Sequence, residues 1–183
     1  MIKNIILFFL ILINFSYADN LDNLKDLYSN KEYAQVCSKS GSLYMQYKDN
    51  EEYLNIYAYS CLKSDMINKL ILPIIKLRKT KQSRENAAYF ATILFQKKLL
   101  YLALCDNIDI SYVNLPKTDY ILSIIFDKFV KGDYEHKNKS YWFNDDLDID
   151  TRYKLSVETK SGVKKIYLRT YKNDKLTKTR VYW

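Results

Sequence analysis

The chain of 183 residues holds only three glycines, two prolines and a single histidine. It has no glycine-rich phosphate loop, no Gly-x-Ser-x-Gly and no His-x-x-x-His. There is no Cys-x-x-Cys pair, so the common zinc and thiol-exchange patterns are missing too. His136 lies in the polar segment 131–140, where a solvated imidazole is the simple reading. General acid–base and nucleophilic catalysis need partners at fixed spacing, and the sequence offers none. It therefore points away from an enzyme and calls for no cofactor. Scarce glycine and proline also exclude a loop-rich architecture and leave long regular elements.

What is present begins with an address. Met1-Ile2-Lys3 is a short positive start, Ile5 to Ile13 is a continuous apolar run, and Ser16-Tyr17-Ala18 is a small-x-small cleavage site. The apolar run is far shorter than the roughly 20 residues that span a bilayer. The expected mature chain starts at Asp19 after cleavage behind Ala18, and is exported to the periplasm. Its length suffices for one domain with a real core.

The overall charge of +8 becomes informative once divided. Residues 19–150 carry a net −1, whereas residues 151–183 carry +8. The whole basic excess therefore sits in the last fifth of the chain. Such asymmetry points to two structural parts and an anionic partner for one of them.

Hydrophobic spacing predicts helices over Leu21–Tyr28, Lys31–Tyr47 (capped by Asn30) and Glu51–Lys63. A further helix, Met66–Lys79, contains Pro73 and should kink or split there. Ser83 is the expected cap of a long apolar helix reaching Cys105. Lys97 and Lys98 interrupt that helix, which argues for a core element over a membrane span. After a linker, Thr118 should cap a last helix to Val130, with Gly132 at the position just past its end.

The apolar period then changes from 3.6 to 2. Leu147, Ile149, Tyr153, Leu155 and Val157 alternate with polar residues, predicting a strand over Leu147–Thr159. Lys160-Ser161-Gly162 and Asn173-Asp174 turn into strands Val163–Lys172 and Leu176–Trp183. The fold class is α+β: about five to six antiparallel helices followed by a three-stranded antiparallel meander. The organisation is a signal peptide over 1–18, a helical region over 19–134, a linker over 135–146 and a basic sheet over 147–183. Leu155, Val157, Ile166, Leu168, Val181 and Trp183 should face the helices.

Tyr28-Ser29-Asn30-Lys31-Glu32-Tyr33 resembles the tyrosine-containing turn of tetratricopeptide helical-hairpin repeats. An offset of 34 residues carries it onto Leu62-Lys63-Ser64-Asp65-Met66-Ile67, the family's period. The resemblance covers residues 21–79. Small residues expected at the helix contacts are mostly missing, and Pro73 falls inside a helix. It implies a partner-binding helical scaffold and leaves the groove unassigned.

Cys37 and Cys61 lie equally far from Asp49, the middle of the turn between two antiparallel helices. They are expected to face each other and form a disulfide, the alternative being two small buried apolar side chains. Cys105 is left over as a buried thiol. Asp146, Asp148 and Asp150 resemble the opening of a calcium loop, but Thr151 stands where that loop needs Gly and Val157 where it needs Glu. Pairing of Asp148 and Asp150 with Lys or Arg across strands accounts for them without a metal.

On the sheet's other face the alternation gathers Arg152, Lys154, Lys165, Tyr167, Arg169, Tyr171, Lys178, Arg180 and Tyr182. Mixed basic and aromatic residues on a sheet suit nucleic acid, which export excludes. The remaining anions are lipid headgroups, cell-wall polymer and acidic proteins, and the alternative is a solvated face whose lysines blunt edge pairing. The leading expectation is a non-enzymatic periplasmic adaptor. It would work through envelope protein partners, as an accessory of an envelope or flagellar-motor-type complex. The other expectation is a module that binds anionic lipid or cell-wall polymer through the sheet.

Overall fold

A computed structural model describes residues 20–183, so the expected signal peptide over 1–18 and its Ala18–Asp19 junction lie outside the described residues. The helices precede a single antiparallel sheet, as an α+β chain requires, but that sheet has five strands instead of three. By internal contacts the chain divides into two compact units with the break between Phe90 and Ala91. The break falls within one continuous helix, α5 (Lys81–Asp106). Its buried positions Ser83, Asn86 and Phe90 serve the first unit, and Ile93, Lys97, Leu100 and Ala103 serve the second. Their three-and-four spacing gives one buried stripe. The helix is not buried all round, because Phe95 and Leu102 are exposed. It is also long and apolar enough to cross a membrane by length and composition alone.

In the first unit, α1 (residues 20–29), α2 (Tyr33–Tyr47), α3 (Glu51–Lys63) and the short α4 (Ile71–Lys76) are joined by tight turns. Two of these turns are the same structure 34 residues apart. Glu32 N–H donates to the carbonyl of Leu27 and Lys31 N–H to that of Tyr28. Met66 N–H donates likewise to Cys61, and Asp65 N–H to Leu62. Lys31 and Asp65 both take the left-handed conformation, with φ of 62° and 59°. That conformation at the residue following a helix satisfies its last carbonyls and turns the chain back.

Asn50 caps α3 by accepting Tyr53 N–H (3.0 Å). The expected caps Asn30 and Ser83 do not act. Glu32 occupies the N-terminal cap position of α2 with no side-chain bond to a backbone N–H, since Asn30 and Lys31 are committed to the turn. At α5, Thr80 Oγ1 accepts Ser83 N–H (3.0 Å), so the cap lies three residues earlier than expected. Glu51 reinforces that start from α3. Its carboxylate accepts the N–H groups of Arg78, Lys79 and Thr80 and the Ser83 hydroxyl. Desolvation opposes its charge, yet these four bonds hold its pKa below the usual glutamate value.

The Met66–Lys79 segment does split in two, though upstream of the proline. Ile67–Leu70 is a 3₁₀ turn, α4 follows from Ile71, and Pro73 sits in the first turn of α4, where a missing N–H is harmless. Cys37 and Cys61 are joined by a disulfide that ties α2 to α3, with Cα atoms 4.8 Å apart. The bond is compatible with an oxidising, exported location. Beside it Tyr53 is fully buried and donates its hydroxyl to the Ser40 carbonyl, and desolvation raises its pKa above that of an ordinary tyrosine.

In the second unit, α6 (Ile121–Val130) ends as its glycine predicts. Gly132 has φ +71°, its N–H donates to Phe129, and the next N–H, of Asp133, donates to Lys128. At its start Thr118 does not cap; Tyr120 holds that position, and the Thr118 N–H instead donates to Ser123 Oγ.

The sheet runs β1 (Glu135–Lys137), β2 (Ser140–Asn144), β3 (Thr151–Lys160), β4 (Val163–Lys172) and β5 (Lys175–Tyr182), each paired with the next. The expected linker 135–146 therefore supplies two strands. Three connections are two-residue turns with positive φ at both positions: Asn138-Lys139, Ser161-Gly162 and Asn173-Asp174. Such turns match the twist of a hairpin. Phe143, Tyr153, Leu155, Ile166, Leu168 and Tyr182 are buried on one face of the sheet. Tyr141 on that face meets Phe129 of α6, with ring centroids 5.1 Å apart. Cys105 is a free, buried thiol whose pKa is raised, chiefly by burial.

Candidate functional site

Six of the nine sheet residues expected on one surface do share a face. The β3–β4 register sets Arg152 opposite Tyr171, Lys154 opposite Arg169 and Ser156 opposite Tyr167. Lys165, opposite Glu158, joins them. Lys178, Arg180 and Tyr182 lie on the opposite face. There they pair with Thr170, Leu168 and Ile166 of the buried side.

The cause is a bulge. Next to the turn, Tyr171 pairs with Leu176; one step later Thr170 pairs with Lys178, so Thr177 is an extra residue. Because strand side chains alternate with period 2, one inserted residue sends every later side chain to the other face. Val181 and Trp183, expected against the helices, move to the basic face for the same reason. Arg180 donates to the Thr170 hydroxyl (3.1 Å), and Tyr182 is buried with its hydroxyl 3.2 Å from that of Tyr120.

The basic face is organised by a residue that strand spacing did not bring forward. Trp142 on β2 stands opposite Lys154, with Arg152 5.1 Å and Lys154 5.3 Å from its ring centroid. Tyr171 lies 5.4 Å from the same ring. Arg169 covers Tyr167 at 4.8 Å, and Lys165 covers Trp183 at 4.7 Å. Arg169 also binds Glu158 (2.6 Å) and the Ser156 hydroxyl (3.1 Å), while Arg152 approaches Glu135 at 3.9 Å. A cation over an aromatic face is held electrostatically, so the rings fix cationic heads above the sheet. The aromatic run Tyr141-Trp142-Phe143 behind Asn138-Lys139 was the available signal for this strand.

The aspartate stretch forms a loop, 145–150, and β3 begins only at Thr151. Asp145 accepts the N–H groups of Leu147 (2.8 Å) and Asp148 (2.9 Å) and the Tyr153 hydroxyl (2.5 Å). Asp148 accepts Asp150 N–H, the Thr151 hydroxyl and the Lys172 ammonium. Asp146 binds the buried Lys128 at 2.5 Å. The alternation of aspartates thus serves loop hydrogen bonds. Leu147 and Ile149, expected on the core side of a strand, are 97% and 95% exposed.

The first unit offers a groove of about 470 Å³ between α1 and α3, lined by Lys25, Tyr28, Ser29, Glu52, Asn55, Ile56 and Tyr59. Its polar groups are ordered. Lys25 binds Glu52 at 3.0 Å, Asn86 donates to Asn55 (2.8 Å), and Tyr59 donates to Asn86 (3.1 Å). His136 stacks on Tyr141 with centroids 4.5 Å apart, in a recess shared with Leu104, Asn107, Lys139 and Val157. Comparison with protein-family models, with curated proteins and with solved structures finds no match.

Proposed function

We propose that the chain is an exported, non-enzymatic adaptor of the bacterial envelope that works in the periplasm through protein–protein contacts. The observation that carries this reading is the α1–α3 groove. It is formed by the first helices of two hairpins whose turns repeat at 34 residues, the arrangement a tetratricopeptide-like scaffold implies. Its lining combines tyrosine faces with side-chain amides, groups suited to an extended peptide segment. An accessory role in an envelope or flagellar-motor-type assembly fits such a scaffold by analogy of fold alone.

The test is photo-crosslinking in intact cells from a reactive residue placed at Ile56, with exposed Lys81 as control. A discrete protein adduct from position 56 and none from position 81 is expected. Identical patterns from both positions, or no adduct at 56, would refute the groove.

A second reading, anionic-envelope binding, is favoured by the four cation–ring contacts on the sheet face. It requires that Arg152→Gln, Lys154→Gln and Lys165→Gln together abolish salt-sensitive retention on anionic vesicles or cell-wall polymer. Retention equal to wild type sinks it.

A further inference from the structure

One end of the sheet presents aliphatic side chains to water. Leu147 and Ile149 are almost wholly exposed, and Leu176 is 54% exposed. The backbone that displays them is pinned. Asp145 and Asp148 fold back onto the loop's own N–H groups, and Asp145 N–H donates to the Thr151 carbonyl (3.1 Å). Asn173 N–H donates to the Asp150 carbonyl (2.9 Å), which joins this loop to the β4–β5 turn beside Leu176. Three of the loop's four aspartates are engaged internally, with Asp148 and Asp146 neutralised by Lys172 and Lys128. The loop thus points two large apolar groups outward, while Lys172 and Lys128 offset two of its carboxylates.

Behind the tip the face changes character in a fixed order. Leu176 and Arg152 flank Tyr171, next come Trp142, Lys154 and Arg169 in one row, and beyond them Tyr167 and then Lys165 with Trp183. Aliphatic at the tip and aromatic with cations behind it is the order in which a bilayer offers acyl chains and then the interface with its anionic headgroups. We propose that this end of the sheet docks on an anionic lipid surface. Leu147, Ile149 and Leu176 enter the acyl boundary, and Trp142, Arg152 and Lys154 lie at headgroup level. Three aliphatic side chains are far too few for a protein interface, which needs about 800 Å² from each partner. A hydrated cell-wall polymer gives them nothing to enter. A bilayer takes up each side chain on its own. The proposal rests on the reading of the sheet face as anion-binding.

The test is co-sedimentation of the purified exported protein with phosphatidylethanolamine vesicles, with and without phosphatidylglycerol, at low and high salt. The wild type should bind the phosphatidylglycerol vesicles and release in salt. Leu147→Ser with Ile149→Ser should weaken binding by about ten-fold for each residue. Arg152→Gln with Lys154→Gln should weaken it by about five-fold for each cation and remove the preference for phosphatidylglycerol. Circular dichroism checks that the variants fold; the tip residues touch no core. Salt-sensitive binding by the tip variant as tight as wild type would overturn the docking tip and leave the anion-binding face standing. Wild-type binding to cell-wall polymer but to no vesicle would do the same. Binding to neither would overturn both.

Discussion

Lys97 is the sharpest point at which the second unit can be tested. It lies on the buried stripe of α5, 1% exposed, and its ammonium donates to the main-chain oxygen of Trp183 at 2.7 Å. Burial pulls its pKa from 10.5 to about 8, with the neighbouring Lys98 adding to the effect. At neutral pH the charged form is therefore kept at a penalty of about 3 kcal/mol. Lys97→Met removes the penalty and keeps the volume, at the loss of a hydrogen bond worth about 1 kcal/mol. The variant should be more stable by about 2 kcal/mol near pH 7.

The pH dependence carries the sign. Between its folded and unfolded pKa values the unfolded lysine binds more protons than the folded one, so wild-type stability rises with pH there. From pH 7 to about 9.5 the gain is about 2 kcal/mol, enough to erase the variant's advantage. Urea unfolding followed by tryptophan fluorescence reads this unit alone, because both tryptophans, Trp142 and Trp183, belong to it. An advantage of the same size at both pH values would refute the reasoning, since Lys97 would then not titrate in that window.

Two further outcomes concern the first unit. Reducing the Cys37–Cys61 bond should lower stability by about 3 kcal/mol, from the loop entropy released in the unfolded chain. Mass spectrometry before and after reduction identifies the bond, and denaturant midpoints measure the loss. Gly41→Ala should stabilise α2 by up to about 1 kcal/mol, because a Cβ there meets only the Tyr57 hydroxyl at 3.8 Å, an ordinary contact. A lower thermal midpoint would show that the position is constrained by something other than helix propensity.

Local patterns were legible where one physical preference acts over a short stretch. The bounds of α3 (Glu51–Lys63) and β4 (Val163–Lys172) follow from spacing and turn residues, as does Gly132 beyond α6. Cys37 and Cys61 were paired from their equal distance to the turn, since antiparallel helices place such positions side by side. β1 and β2 were not legible. Asn138-Lys139 is a weaker turn signal than Asn-Gly, and the polar neighbours of the Tyr141-Trp142-Phe143 run read as linker. At the candidate site, six basic and aromatic residues of β3 and β4 were read onto one face. Trp142, which organises them, was missed.

The α+β order, the helix hairpins, the disulfide and the concentration of positive charge in the last strands all follow from patterns read along the chain. Most depend on residues close together in the chain; the disulfide, across a separation of 24 residues, follows from the symmetry of a helix hairpin about its turn. Which way the last strand faces is set by its pairing in the folded sheet. One bulge residue at Thr177 reverses the alternation and carries Lys178, Arg180 and Tyr182 away from the basic face. Alternation fixes side chains relative to their own strand, but phase between strands comes from hydrogen-bond register. The same holds for the aspartate loop and for Lys97. Whether an alternating stretch pleats or loops, and whether a lysine on an apolar helix is covered, depends on partners far away in sequence.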